Sequence, residues 1–222
     1  VEQETLDTHE YKMTQTVSQM DTCLERVIDA SYELSILEDL NLASADQYDY
    51  YIIQQQLKNI TARDNLFFDV GIYSSDSPYV LTANSEYSSD DFIRNYLGNG
   101  LTPSETIAEI SADESILKFN VSQNSDIVTL IAQPPFLDGN SMILFMIEKQ
   151  SFDALISDIL FGHDDENIMF IGRDHSIKYA KTTPEPQIEE YTLSDRLSSL
   201  SDSHVQVFED RIGSQSYIVS YT

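Results

Sequence analysis

The first 68 residues contain neither glycine nor proline, the residues that interrupt helices most often. Apolar or small residues recur there at alternating steps of four and three: Met13, Val17, Met20, Leu24, Val27, Ser31 and Leu34. That spacing is typical of a coiled-coil-like seam and predicts one helix from near Glu2 to near Leu37. About 35 residues in a helix span roughly 50 Å. A helix of this length exceeds what a small core needs, and it suits a stalk whose upper part packs on a domain.

A second helix is predicted from about Asp46 to Arg63, with Ser44 and Asp46 as candidate capping residues. Five of its residues lie on or near one helical face: Tyr48, Tyr51, Ile52, Gln55 and Ile60. The chain therefore starts with a pair of helices before its first strand.

The sequence period then changes to two, and "LFFDVGIYSSDSPYVLTAN" predicts two strands joined by a turn. Asp69, Gly71 and Tyr73 share one face of the first strand. A short helix is predicted from Ser88, ended by Gly98. Three more strands follow in "ESILKFNV", "DIVTLIAQPPF" and "SMILFMIE". Together these segments predict a five-stranded antiparallel sheet backed by helices.

After Glu148 a similar but shorter pattern begins without a flexible linker, which predicts a second unit stacked rigidly on the first. It comprises a helix from about Ser151 to Leu160, a hairpin in "ENIMFIGRDHSIKYA", a short helix in "LSDRLSSL" and closing strands in "SHVQVFED" and "SQSYIVSYT". The predicted fold class is α+β. The predicted domains are a stalk helix over residues 1–43, a first unit over 44–148 and a second over 149–222.

The charge balance excludes two classes of partner. Asp and Glu number 38 against 12 Lys and Arg, which gives a net charge of −26. A surface this acidic repels phosphate backbones and anionic lipid headgroups. We therefore expect this segment to bind no nucleic acid and not to dock electrostatically on membranes, and the charge itself to promote solubility.

The chain contains no motif for catalysis or for a cofactor. Its four histidines are scattered, and no P-loop, G-x-G-x-x-G or G-x-S-x-G occurs. The loop "GHDDEN" offers oxygen ligands for calcium, but its spacing fits no known loop and a solvated turn is the simpler interpretation. Cys23 is the only cysteine, either a small buried residue beside the seam or a crosslink across a dimer of parallel helices. We expect no enzyme activity, no cofactor and no metal.

The ends of the chain predict that it is a piece excised from a longer protein. It begins within a helical pattern, without an initiator methionine, and it stops in an alternating strand. Its longest purely apolar run, Met142 to Ile147, is far too short to span a membrane.

A long helix followed by a larger and then a smaller α+β unit resembles the double Cache domains, which are tandem PAS-like extracellular sensors of bacterial transmembrane receptors. The likeness is greatest to those of Gram-positive sensor histidine kinases and membrane-bound AraC-type regulators. It covers nearly the whole chain and lies in the order of elements and in three stretches: "YIIQQQLKNITARDNLFFDVGIYSSD", "DIVTLIAQPPFLDGNSMILFMIEKQSFDALI" and "ENIMFIGRDHSIKYA".

This resemblance implies an extracellular sensor that binds a small molecule in its first, membrane-distal unit, on the sheet face opposite the long helix. It also implies flanking membrane spans, signal output through a kinase or a DNA-binding region, and a homodimer formed through the stalk helix. The amino-acid-binding branch of the family carries a helix motif with aromatic and Arg residues, followed by an Asp. Here "FIRNYLG" supplies Arg94 and Tyr96 without the complete motif.

Eight residues are candidates for contacting the ligand: Asp69, Tyr73, Arg94, Tyr96, Phe119, Thr129, Ile131 and Gln133. Asp69 interrupts an apolar strand, so its carboxylate binds a ligand ammonium, pairs with Arg63 or Lys118, or lies at an exposed edge. Arg94 forks to a ligand carboxylate or forms a surface ion pair. The aromatic candidates wall a pocket or belong to the core, and the polar ones on the strand "DIVTLIAQ" face a ligand or water.

An interaction module is the alternative function. In that case the second unit and the stalk dock a partner, such as a solute-binding protein, and the first unit binds no small molecule. The walls of the pocket discriminate between the two hypotheses. Small and polar residues favour a direct ligand, whereas a cavity filled by Phe and Tyr favours a protein partner.

Overall fold

A computed structural model describes residues 2–36, 42, 45–98, 100–112, 117–121, 126–134, 141–159, 168–171, 177–181, 206–212 and 215–221. The helices in these ranges are α1 (Glu2–Ser35), α2 (Gln47–Arg63), α3 (Ser89–Phe92), a π-helix (Ile93–Leu97), α4 (Pro103–Ala112) and α5 (Lys149–Ile159). The strands are β1 (Asp69–Ser74), β2 (Tyr79–Thr82), β3 (Glu86–Ser88), β4 (Leu117–Val121), β5 (Ile127–Ala132), β6 (Ser141–Glu148), β7 (Ile168–Ile171), β8 (Ile177–Lys181), β9 (Gln206–Ile212) and β10 (Gln215–Tyr221).

The predicted long helix is confirmed as α1. Within its last three turns the predicted seam is the buried side, because Val27, Ser31 and Leu34 are all inaccessible to solvent. Cys23 is also buried, at 4% exposure, as expected for a small apolar residue beside the seam. Two ion pairs connect this part of α1 to the end of α2 and the residue after it: Arg26 with Asp64, and Glu33 with Arg63.

The second predicted helix is confirmed as α2, and its start is determined by Asp46. The Asp46 side chain accepts hydrogen bonds from the backbone N–H groups of Tyr48 and Asp49, while the Asp49 side chain accepts one from the N–H of Asp46. This reciprocal capping box satisfies N–H groups that have no partner within the helix.

The face of α2 that packs on the sheet shares only Ile60 with the predicted one. Ile53, Leu57 and Ile60 are buried, whereas Tyr48, Tyr51 and Ile52 are exposed. The buried residues follow the helical spacing of four and three that a single contact with β1 and β2 requires.

The main sheet has six antiparallel strands in the order β3-β2-β1-β6-β5-β4, rather than the five that the sequence predicted. The additional strand is β3, which pairs Tyr87 with Val80 of β2. Three residues are too few to show an alternating pattern, and the pairing itself holds this strand in the sheet. The short helix expected from Ser88 is present as α3, with Ser88 as its N-cap, and it continues into the π-helix up to Gly98.

Helix α4 was not predicted from the sequence, although "TPSE" carries its start signal. The Glu105 side chain accepts a hydrogen bond from the Thr102 N–H, and the Thr102 hydroxyl accepts one from the Glu105 N–H. Pro103 occupies the first helical position, where proline is favoured. A threonine followed three residues later by glutamate therefore marks this helix.

The sheet is covered on both faces. On one face α2 contacts β1 and β2, and Phe67 stacks on Phe145 of β6. The opposite face carries Asp69, Gly71 and Tyr73 of β1 and lies under α3, the π-helix and α4. We use the name covered face for this side alone. Its apolar residues pack with α3, the π-helix and α4 in one cluster: Tyr73, Val80, Phe92, Ile93, Leu97, Ile110, Ile127, Ile131, Met142, Leu144 and Met146.

The later part of the chain contains α5 and two antiparallel hairpins, β7-β8 and β9-β10, which confirms the predicted strands there. The chain divides into two compact units: Leu24–Asp153, and a second formed by Val1–Cys23 with Ala154–Thr222. The α+β fold class is confirmed, while the domain boundaries at residues 43 and 148 remain predictions. The turns at 123–125 and 138–140 and the short helix in "LSDRLSSL" lie outside the described residues.

None of the helices described above carries an apolar stretch long enough to cross a membrane.

The capping box makes the start of α2 a test of this fold. Asp46→Ala should lower the free energy of unfolding by about 1 kcal/mol, because two backbone N–H groups lose their acceptor. The melting temperature should fall by about 2–4 °C. Asp46→Asn should lose much less, and Gln47→Ala, on the same exposed turn, serves as the control. Equal stability of Asp46→Ala and Gln47→Ala in urea titration would contradict the role of the cap.

Candidate functional site

Strand register arranges the covered face in rows that run across the sheet. Asp69 pairs with Met146, Met146 with Thr129, and Thr129 with Asn120. Directly paired residues point their side chains to the same side of a sheet. Asp69, Thr129 and Asn120 therefore belong to one row, which we call the polar row, with Met146 between the first two.

Asp69 is the buried acid of this face, with 3% of its surface exposed. Its Oδ1 accepts a hydrogen bond from the Val70 N–H at 2.9 Å. Burial raises the pKa of the Asp69 carboxyl above its ordinary value, and hydrogen bonding from Thr82, Val70, Asn84 and Ala83 offsets only part of that rise. The carboxyl is thus positioned by neutral groups.

The groups that act on the Asp69 carboxyl are neutral, and the two cations suggested as its structural partners contact other residues. Arg63 lies on the surface and pairs with Glu33 at 2.7 Å. Lys118 donates a hydrogen bond to the side-chain oxygen of Gln133. The interpretation of Asp69 as an exposed edge residue is also wrong, since β1 lies inside the sheet between β2 and β6.

Gly71 lets β2 approach Asp69 closely. A Cβ at position 71 would lie 3.1 Å from the Thr82 methyl carbon and 3.2 Å from the backbone oxygen of Leu81. Glycine therefore gives Thr82 the room to lie across from residue 71, one step along the strand face from Asp69.

Three aromatic rings cover the β2 side of the face, and we call them the aromatic cluster. The ring centroids of Tyr87 and Phe92 are 5.7 Å apart, those of Phe92 and Tyr96 are 4.9 Å apart, and those of Tyr87 and Tyr96 are 5.7 Å apart. Burial raises the pKa of Tyr96, and Tyr87 and the charge of Asp69 raise it further. The charge of Asp69 therefore acts on the Tyr96 phenol.

Tyr73 lies on the covered face with 7% of its surface exposed and belongs to the apolar cluster. Burial raises the pKa of its phenol, and the charges of Asp90 and Asp76 add to that rise. Thr129 and Ile131 are fully buried on the same face. Four predicted residues of this face, Asp69, Tyr73, Thr129 and Ile131, are therefore on one side of the sheet.

Gln133 follows the end of β5 and is half-buried. Its hydrogen bond with Lys118, which is only 6% exposed, places a polar pair at the β4 edge of the sheet. Lys118 lies two residues from Asn120 on β4, and Gln133 lies four residues from Thr129, just past the end of β5.

Two candidates lie elsewhere. Arg94 is an exposed residue of the π-helix, 59% accessible in its side chain, and it pairs with Asp91 at 3.4 Å. Phe119 points to the opposite side of the sheet, because it pairs with Leu130, and its ring centroid is 5.4 Å from that of Phe152 on α5. The structure therefore brings neither side chain to the covered face beside Asp69.

The sequence reasoning missed Asn120 and considered Lys118 only as a partner of Asp69. These two residues, and not Phe119, lie on the covered face. The strand "LKFNV" alternates, so choosing Phe119 for the covered face excluded its two polar neighbours. The two polar side chains in this strand, Lys118 and Asn120, were the signal in the sequence that could have identified them.

No group of three or more metal-ligating side chains occurs within the described residues. The acidic loop "GHDDEN" lies outside the described residues.

Two solved structures of a bacterial sensory domain share this fold. One is the sensory domain of the Campylobacter jejuni chemoreceptor Tlp3 (CcmL) with isoleucine bound, at 11% identity and a TM-score of 0.57, covering 97% of this chain and 86% of that one. The other is the ligand-binding domain of Tlp3 in complex with L-norvaline, at 10% identity and a TM-score of 0.55, covering 97% and 85%. At such identities the likeness establishes the fold alone, an α+β arrangement with a PAS-like sheet.

No protein-family model matches the chain, and no curated protein sequence matches it.

The buried carboxyl should make stability depend on pH with a definite sign. The folded protein holds the Asp69 proton more tightly than the unfolded chain, whose Asp pKa is near 3.8. The contribution of Asp69 is therefore most favourable below that pKa and is lost as pH rises through the folded pKa. Asp69→Asn removes this loss, so its unfolding free energy relative to wild type should rise as the pH increases above 3.8 and through the folded pKa of Asp69.

The measurement is urea unfolding at several pH values, with Asp90→Asn as the control for removing one exposed negative charge from α3. A difference between Asp69→Asn and wild type that stays flat with pH, or that falls, would contradict the raised pKa.

Proposed function

We propose that this chain is the extracellular ligand-sensing domain of a bacterial transmembrane receptor of the double Cache type. It binds a small molecule on the covered face of its first α+β unit and carries no catalytic activity. The observation that carries this proposal is the buried Asp69, a carboxyl held on the covered face of a PAS-like sheet. A charged group buried without a basic partner in its contacts is expensive, and ligand recognition is a reason to retain it.

The fold likeness supports the same function. The sensory domain of Tlp3 binds isoleucine and L-norvaline with a related architecture over most of both chains. The placement of Asp69, Tyr73 and Tyr96 together on one side of the sheet supports a site between that side and its covering helices.

Signal transmission follows from the way in which ligands act on conformational equilibria. A ligand shifts an equilibrium only by its different affinity for the two states. We propose that the ligand favours one packing of α3, the π-helix and α4 on the covered face, and that α1 and the last strand carry the change to membrane spans. The output is a histidine kinase or an AraC-type regulator, and the receptor is a homodimer through α1.

A ligand panel tests the proposal directly. The purified chain would be heated with amino acids including isoleucine, amines, carboxylates, sugars and nucleobases. A ligand at 100 times its Kd stabilises the folded state by about 2.7 kcal/mol, so we expect a melting-temperature rise of several degrees.

Two variants identify where a positive compound binds. Asp69→Asn should remove the rise, because the buried carboxylate is the proposed anchor. Arg94→Ala should leave it unchanged, because that exposed side chain pairs with Asp91 at the surface. A melting-temperature rise that persists in Asp69→Asn would show that the compound binds elsewhere. If no compound of the panel raises the melting temperature, the proposal of a direct sensor is wrong.

A partner-protein module is the second candidate, and the aromatic cluster favours it. Tyr87, Phe92 and Tyr96 fill the β2 side of the covered face with rings rather than leaving small and polar walls. This function would be supported by a silent panel together with a defined solute-binding protein that co-purifies with the full-length receptor and dissociates on mutation of the second unit.

A further inference from the structure

Two oxygens of the polar row lack hydrogen-bond partners. The Thr129 hydroxyl oxygen and the Asn120 side-chain oxygen are both buried, and neither has a partner among the residues that the structure describes. Thr129 itself is 0% exposed. Buried polar groups in proteins are nearly always hydrogen-bonded, so two exceptions on paired residues require an explanation.

A neighbouring threonine shows what a satisfied hydroxyl looks like on this face. Thr82, also 0% exposed, donates its hydroxyl to the Ser85 backbone oxygen at 3.0 Å and accepts the N–H groups of Asn84 and Ser85. Thr129 lies in a strand of the same sheet with no such turn beside it, and its backbone is already paired on both sides. Its hydroxyl is therefore available to a bound molecule.

The register gives the dimensions of the polar row. Asn120 and Thr129 are direct partners, about 5 Å apart at their Cα atoms, and Asp69 lies two strands from Thr129, about 10 Å away. Met146 separates them, and its flexible side chain adapts to a neighbour more readily than a branched one. The row therefore has an acid at one end and two neutral oxygens at the other.

The polar row favours ligands that donate hydrogen bonds. The ionised carboxylate of Asp69 and the amide oxygen of Asn120 only accept hydrogen bonds, and the Thr129 hydroxyl accepts as well as donates. The nearby cation Lys118 donates a hydrogen bond to Gln133. A ligand carboxylate would meet acceptors along most of the row, whereas a ligand with N–H groups at both ends would meet a partner at each.

We propose that Asp69, Thr129 and Asn120 form one binding row for a short aliphatic diamine, with one ammonium at Asp69 and the second at the oxygens of Thr129 and Asn120. This inference rests on the proposed sensor function and specifies the class of its ligand. It differs from the aliphatic amino acids bound by the sensory domain of Tlp3, which carry a carboxylate beside their one ammonium.

The test compares 1,4-diaminobutane with butylamine, which lacks the second ammonium, by calorimetric titration of the whole chain. Wild type should prefer the diamine by about tenfold or more, because butylamine leaves two buried oxygens unpaired. Thr129→Val should reduce that preference to near one, and Thr129→Ser, which keeps the hydroxyl, should restore most of it. Asn120→Ala should reduce the preference as well, which keeps the test valid if Thr129→Val does not fold.

Stability without ligand provides an independent readout. Thr129→Val should melt at the same temperature as wild type or higher, since an unpaired buried hydroxyl is replaced by a methyl of the same shape. Thr82→Val, which removes a hydroxyl bonded to Asn84 and Ser85 and acting on Asp69, should melt lower. Equal destabilisation of the two variants would show that Thr129 has a partner in the free protein and would overturn the inference.

The remaining outcomes separate this inference from the proposed function. If isoleucine binding is lost in Asp69→Asn but unchanged in Thr129→Val, the proposed sensor function stands and the proposal of a diamine ligand is wrong. Equal affinity for 1,4-diaminobutane and butylamine would also overturn it. Absence of binding by every compound of the panel would overturn both.

Discussion

The pairing of β1 with β6 is the constraint on which the rest of the structure depends. Six consecutive residue pairs, from Asp69 with Met146 to Ser74 with Ser141, join two strands that are buried almost throughout. A shift of one residue would turn Asp69 toward α2 and Ile72 toward the aromatic cluster, because alternate side chains point to opposite faces. Packing against the helices on both faces disfavours that shift. Apolar burial along the whole strand pair therefore determines the register that places Asp69 in the polar row.

The two layers that this sheet separates differ in how they are stabilised. On one face α2 is a 17-residue helix with its own capping box and ion pairs to α1. On the covered face α3 has four residues and the π-helix five, lengths that cannot persist without tertiary contacts. The side that carries Asp69 is thus covered by elements of low intrinsic stability, and such elements are the ones that rearrange when a ligand binds.

Sequence reasoning succeeded where a local signal was strong. The uninterrupted seam predicted α1, Asp46 marked the start of α2, and its position inside the apolar strand "LFFDVGIY" marked Asp69 as unusual. It failed where the answer depends on pairing across the sheet. Strand β3 exists through its bond to β2, and the face of Phe119 is decided by its register with Leu130. Both faces of the sheet are covered, so hydrophobicity alone does not choose between Phe119 and Asn120.

The composition of the covered face shows how a buried polar row is accommodated in a core. Two of the five methionines, Met142 and Met146, lie on this face, and Met146 separates Asp69 from Thr129. A methionine fills irregular space through three rotatable bonds, so it can pack against the free row and yield to a ligand with little strain. A β-branched residue there would pack more rigidly and would hold the two ends of the row apart. The face therefore combines a fixed acid, an adaptable side chain and two neutral oxygens, supported by strands whose other face packs on α2.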